Sequence, residues 1–253
     1  MSPLELLPVE LLYEVQLAAF EPNLPLASRR LHAVFSSAPT SYRAQYILSC
    51  AGASSSSDIL SLALRFPICT EPVLDIILRD WPATTPHRRS ELPRRLFRTL
   101  APRKSAEAPF STADAPFPFV HALFTKLPQA PDADSHAGYA LARAVHAEFM
   151  PLIRLLLARG ASPAHKGGLA VLIAIRKKNL GLVRMLVERE EMDEDGAPAP
   201  VVGAKRRRLE DRVEVTREML KTAVKAKARD IADWFMHDKG CLPDMQTLNM
   251  LMR

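Results

Sequence analysis

Three stretches of the chain can be laid over one another on a single alanine. They are "YALARAVHAEFMPLIRLLLARGASP", "LAVLIAIRKKNLGLVRMLVERE" and "EMLKTAVKAKARDIADWFMHDKGCLPD", and the shared residue is Ala144, Ala174 and Ala223. Leu141, Val171 or Leu220 stands three residues before it. Ile153, Val183 or Ala232 stands nine residues after it, and then come the pairs Leu156–Leu157, Leu186–Val187 and Phe235–Met236. The step from Ala144 to Ala174 has the length of a two-helix repeat, and the step from Ala174 to Ala223 is longer. A period near 30 with two short apolar helices per unit predicts a helical solenoid. Each helix pair carries an apolar stripe that it cannot bury alone, so stacking on neighbours makes the same positions recur.

Two earlier stretches follow the pattern more loosely. "DILSLALRFPICTEPVLDIILRD" places Leu60, Ala63, Val73 and Ile76–Ile77 in register, with one extra residue between its halves. "PFVHALFTKLP" contributes Val120 and Leu123–Phe124, and "ELPRRLFRTLA" is expected to be its partner helix. "MQTLNMLMR" reads as the first helix of a closing unit. Pro is frequent, at 21 residues, and Leu and Ala outnumber the β-branched types, which favours many short helices over strands. With 48% hydrophobic residues the chain can bury a sizeable core.

The repeat resembles the ankyrin repeat. "LLLARGASP" looks like the second helix and following turn of such a unit, with Gly160 where the family ends that helix in a left-handed residue. Glu190 takes the glycine position in the second copy, and Tyr139–Ala142 and Leu169–Leu172 replace the family's Thr-Pro-Leu-His signature. The resemblance runs from Asp58 to Arg253 and implies four to five degenerate units that bind protein.

Ahead of it, "LELLPVELLYEVQLAAF" has helical apolar spacing at Leu4, Leu7, Leu11, Leu12, Val15, Ala18 and Ala19, with Pro8 placed in the first turn. "LASRRLHAVFSSAP" predicts a second helix with an apolar face of Leu26, Leu31, Val34 and Phe35, and "SYRAQYILSC" a third. Residues 51–57 read as a small-residue linker, with Ser57 or Asp58 as the next N-cap. Residues 1–50 resemble an F-box. Leu7, Pro8, Glu10 and Leu11 match its opening Leu-Pro-x-Glu-Leu, and Ala27 to Leu31 stand at its Val-Ser-Lys-Arg-Trp-like element, with Leu31 at the tryptophan. The resemblance implies that Leu7, Pro8, Leu11, Leu12 and Val15 dock the Skp-family adaptor of a cullin-type ubiquitin ligase by apolar burial. The alternative is that this helix caps the solenoid.

The extra length of the second step matches "MDEDGAPAPVVGAKRRRLED", Met192 to Asp211, which has no apolar stripe. It is expected to be a disordered, exposed insertion between two repeats. Lys205, Arg206, Arg207 and Arg208 within it are a candidate nuclear-import signal or a charged, solvated loop. Acidic residues flank the run and the loop has no aromatic side chain, which argues against nucleic-acid binding there. A second basic stretch, "HRRSELPRRLFRTLAPRK", carries Arg88, Arg89, Arg94, Arg95, Arg98, Arg103 and Lys104 against Glu91 alone. It reads as a solvated helix face, or as a contact for phosphate or an acidic partner.

The net charge of +6 decides little. Cys50, Cys69 and Cys241 form no CxxC, which points to a reducing compartment and no structural zinc. No apolar run approaches membrane-spanning length and no charged-then-apolar leader opens the chain, so membrane insertion and secretion are not expected. There is no GxSxG, HExxH or phosphate loop, and the histidines lack ligand spacing. The expectation is an all-α, non-enzymatic adaptor without cofactor, nuclear or nucleocytoplasmic, that brings a protein target to a ubiquitin ligase. The alternatives are an ankyrin-type scaffold without ligase role and a nuclear protein touching nucleic acid through its basic stretches.

Overall fold

The computed structural model describes residues 3–53, 59–80, 89–104, 108–189 and 211–251. Among these the fold is all-α, and the one β contact among them is an isolated bridge between Glu91 and Asp132. The chain forms two compact units, Met1–Arg95 with Phe119–Asp132, and Leu96–Pro118 with Ala133–Arg253.

In the first unit a 3-10 turn, Pro3–Leu6, leads into α1, Val9–Ala19. Pro8 stands just outside α1 rather than in its first turn: its extended ψ of 152° makes it the N-cap, and its carbonyl accepts the Leu12 amide at 3.1 Å. Phe20 ends α1 in the left-handed region at φ 51°, just before Glu21 and Pro22. The segment that follows tightens into a 3-10 turn, Leu24–Leu26, so α2 begins only at Arg29 and runs to Ser36. Ser28 caps it by accepting the Leu31 amide. Leu26 is therefore off the α2 face and 73% exposed. Leu12, Leu31, Phe35, Ala38 and Tyr42 form one buried cluster, with Leu4, Leu7, Tyr13, Leu17, Leu24 and Val34 packed against it. The Tyr13 ring stacks on Tyr42 at 4.1 Å. Buried Gln16 is satisfied by Tyr42, whose hydroxyl donates to its Oε1 at 2.7 Å.

α3, Thr40–Ala53, is longer than expected. Residues 51–53 are helical rather than linker, because alanines extend a helix at little cost and Ala51 is buried. Residues 54–58, including both expected N-caps, lie outside the described residues. α3 packs on α4, Ile59–Arg65, and α5, Glu71–Asp80. The buried faces are Ala44, Tyr46 and Ile47 on α3, Ala63 and Leu64 on α4, and Val73, Leu74 and Ile77 on α5. The helix expected over "ELPRRLFRTLA" shrinks to α6, Arg95–Arg98, since Pro93 and Pro102 deny it length. α7, Phe117–Lys126, is tied to α5 by Lys126, 2.8 Å from both Glu71 and Asp75.

Among the described residues the second unit holds three helix pairs: α8 (Ser135–Ala147) with α9 (Met150–Ala158), α10 (His165–Arg176) with α11 (Leu180–Val187), and α12 (Arg217–Lys225) with α13 (Arg229–His237). α14, Met245–Leu251, packs on α12. α8 packs on α10, and α10 on α12. Ala144, Ala174 and Ala223 are completely buried, and Leu141, Val171 and Leu220 nearly so. Each pair turns in the same way. The amides of Phe149, Asn179 and Ala228 donate to the carbonyls of Ala144, Ala174 and Ala223, at 3.0, 3.3 and 3.0 Å. The amides of Glu148, Lys178 and Lys227 donate to Val145, Ile175 and Val224. These three residues are left-handed, at φ 58°, 56° and 55°. This is the Schellman closure of a helix, built here without glycine.

The entrances to the first two pairs also correspond. His136, Ala137 and Gly138 are left-handed, and so, one repeat later, are Lys166, Gly167 and Gly168. A side chain at Gly168 would run into Met219 Cε at the start of α12. Gly160 ends α9 at φ 89°. Residues 190–210 lie outside the described residues, and with them Glu190 and all of the expected insertion but Asp211. On either side of them the chain is pinned to one place. The Arg212 amide donates to Val187 at 2.7 Å, and the buried Lys239 ammonium lies 3.1 Å from Glu188 and 2.8 Å from Asp211.

Candidate functional site

The expected docking residues divide. α1 advances about 100° per residue, so Pro8, Leu11 and Val15 share a strip about 60° wide. Leu12 is turned away from Leu11 by one step, and that step carries it into the core, where it is 0% exposed. Leu7 packs against the same core from outside the helix. Pro8 is exposed, Val15 half-buried, and Leu11 43% exposed. Leu6, Val9, Phe20 and Leu26 are also exposed, so the segment from Leu6 to Leu26 leaves a set of large apolar side chains in water. An apolar side chain held in solvent forgoes roughly 1.5–3 kcal/mol of burial. Contiguous apolar surface marks an interaction face, and within this set Pro8, Leu11 and Val15 share one side of α1, whereas Val9 stands on the side opposite Leu11. Leu6, Val9, Phe20 and Leu26 were not separable from core positions in the sequence, because only packing decides which leucine of a short run turns inward.

Lys205, Arg206, Arg207 and Arg208 lie outside the described residues, as does Arg88. The second basic stretch is no single solvated helix face. Arg95 donates to the carbonyls of Leu64 at 2.8 Å and Cys69 at 3.3 Å, closing the turn between α4 and α5. Arg103 pairs with Asp114 at 2.6 Å and lies 4.0 Å over the Phe110 ring. Its donors also reach Ala108 and Pro109, so it holds an irregular segment in place. Arg143 of α8 does the same for α6: its guanidinium donates to the carbonyls of Phe97, Arg98 and Leu100. A fork of N–H donors suits a fan of free helix-end carbonyls. Arg89, Arg98 and Lys104 remain exposed.

Burial pushes the Cys69 thiol up to about 11 and raises Cys50 and Cys241 as well, so all three stay protonated at neutral pH. Among the described residues no cluster of His, Cys, Asp and Glu is grouped to hold a metal ion. A groove of about 510 Å³ between α3 and α5 is lined by polar Ser41, Gln45, Ser49, Arg79 and Asp80 with apolar Ala44, Leu48 and Ile76, and in it Arg79 is paired with Asp80 at 2.7 Å. No helix among the described residues is long and apolar enough to cross a membrane.

His146 on α8 carries a pH signature. Burial, with the Arg143 and Lys177 charges nearby, holds its imidazole below its ordinary value, and its buried Nδ1 has no hydrogen-bond partner among the described residues. The folded chain prefers neutral His146, while the unfolded chain binds the proton first. Its contribution is therefore complete above about pH 6.5 and is lost as pH falls through the lowered folded value. The thermal midpoint of the intact chain is expected to drop more steeply across that window than that of His146→Gln, measured by circular dichroism.

A scan against protein-family models, and searches of curated proteins and of solved structures, each find no match to this chain.

Proposed function

We propose that the chain is a non-enzymatic protein-interaction adaptor. Its N-terminal helical cluster docks a Skp-family adaptor of a cullin-type ubiquitin ligase, and an ankyrin-like stack of helix pairs receives the target. The carrying observation is the apolar set left in solvent around α1: Pro8, Leu11 and Val15 on one strip, with Leu6, Val9, Phe20 and Leu26 exposed in the same short segment. A helix that buries Leu12 and Gln16 on one side while presenting leucine on the other has two apolar duties, core and partner. The stack reading draws on the three identical turns at Ala144, Ala174 and Ala223, since repeated units are stabilised by equivalent neighbours. On the same reading Lys205–Arg208 serve nuclear import and the protein is nuclear or nucleocytoplasmic, a reading carried by the basic run itself.

The test spares the core. Affinity purification of the intact chain is compared with Leu11→Asp, after circular dichroism shows that the variant melts with the intact chain. A Skp-family adaptor and a cullin are expected with the intact chain and not with Leu11→Asp. If neither accompanies the intact chain, the ligase role falls and the protein is a binding scaffold.

A further inference from the structure

The turns of the second unit place together charges that are far apart in the sequence. Several contacts show that α8, α10 and α12 run in the same direction. At their starts, His165 lies 3.2 Å from Asp134, and Gly168 sits against Met219. At their ends, Lys177 of the second turn pairs with Glu148 of the first at 2.8 Å. α11 also packs on α13, with Arg184 5.5 Å over the Trp234 ring. The three closures therefore lie along one edge. Two positions of that edge are basic in both later turns: Arg176 and Lys225, two residues after the aligned alanine, and Lys178 and Lys227, four residues after it. Arg229 follows at the start of α13. All five are exposed, and none has an ion pair or side-chain hydrogen bond among the described residues. Acidic groups on the same turns and helices include Glu148, already held by Lys177, and exposed Asp230 and Asp233 on α13, four residues from Arg229 in the case of Asp233.

We propose that this edge binds an acidic peptide segment in extended conformation, with Arg176, Lys178, Lys225 and Lys227 as its contacts. The closure itself does not depend on these charges, although Arg176 and Lys225, in the last turns of α10 and α12, also suit the negative end of the helix dipole. The Schellman closure is made by backbone groups, and the first turn makes it with Glu148 at the same place. A row of cations on one edge raises a local positive potential that steers and holds an anionic partner. The spacing selects the partner. Packed helices stand about 8–10 Å apart, so equivalent lysines on successive turns are separated by about that much. A peptide extended as polyproline II rises about 3.1 Å per residue with three residues per turn, which puts every third side chain on one face at about the same step. Single-stranded nucleic acid fits less well, because the aromatic residue of these turns, Phe149, is fully buried and no ring is offered to a base. The inference gives the adaptor reading a target class and rests on that reading only for what the peptide is recruited to. Peptide binding by the purified chain and ligase co-purification can each fail without the other.

The experiment is fluorescence anisotropy on the full chain, with a labelled Gly-Ser peptide of about twelve residues carrying glutamate at every third position. Oligo-deoxythymidine of similar length is the comparison probe. The variant is Lys178→Glu with Lys227→Glu, chosen because glutamate already occupies that left-handed position at Glu148. The control neutralises Lys205, Arg206, Arg207 and Arg208 to glutamine. At low salt the intact chain is expected to bind the peptide, the double reversal to weaken it roughly tenfold or more, and the control to change it by less than about twofold. If the double reversal melts early, Lys178→Asn with Lys227→Asn replaces it, since asparagine tolerates this backbone. No peptide binding at low salt overturns the proposal, as does an equal loss in the control. Tighter binding of the oligonucleotide through the same lysines overturns it in favour of nucleic acid.

Discussion

Leu12→Ala is expected to destabilise the N-terminal helical cluster by about 2–5 kcal/mol, while Leu11→Ala costs less than about 0.5 kcal/mol. The two leucines are neighbours and equally apolar, and the difference comes from a single helical step. Leu12 is 0% exposed in a core with Leu31, Phe35, Ala38 and Tyr42. Its removal leaves a cavity beneath α1 and takes support from the Tyr13–Tyr42 stack and from the buried bond between Tyr42 and Gln16. Leu11 is exposed and loses little. Urea unfolding followed by circular dichroism and by tyrosine fluorescence would measure both. A Leu11→Ala loss as large as that of Leu12→Ala would mean that Leu11 is packed and the docking strip does not exist. This is also why the binding test rests on Leu11→Asp alone. An aspartate at Leu12 would abolish binding by unfolding the cluster, whatever the strip does.

Phe149→Ala is expected to cost about 3–5 kcal/mol and to release the segment between α6 and α7. Phe149 follows the left-handed Glu148, is fully buried, and stacks on Phe110 at 4.6 Å with Phe117 at 6.3 Å. Phe110 in turn lies under Arg103, which is paired with Asp114. The described part of residues 99–116 forms no regular helix, so its order depends on these side chains and on Arg143. Without the Phe149 ring, Phe110 loses the ring it stacks on. Limited trypsin digestion is expected to cut at Arg103 and Lys104 well before the helix pairs, alongside a lowered midpoint in urea. Unchanged protection at Arg103 would mean that the polar contacts hold the segment on their own.

The helix pairs were legible because burial repeats. The aligned alanines and the apolar residues three before and nine after them are all at or near zero exposure, and a stripe that must be buried in every unit leaves the same mark in each. The turns within the pairs were not legible. Their left-handed residues are Glu148, Lys178 and Lys227, and no propensity marks a glutamate or lysine for that conformation. It goes with the closure made at each buried alanine, after which the second helix follows directly.

The N-terminal strip shows the limit of periodicity. Leu7, Leu11, Leu12 and Val15 share one hydrophobic pattern, which records that a residue avoids water and not what covers it. The basic stretch from Arg88 to Lys104 shows the limit of counting charge, since Arg95 and Arg103 direct their donors to carbonyls and Asp114. The sequence alone determined an all-helical chain and the residues that recur inside its helix pairs, because both follow from local propensity and from the period of burial. Tertiary structure decided that Leu12 is core while Leu11 faces water, which arginines are spent on carbonyls, and that Lys178 and Lys227 stand on one edge. Each depends on which helix lies beside which, and contacts between distant segments leave no periodic trace in the chain.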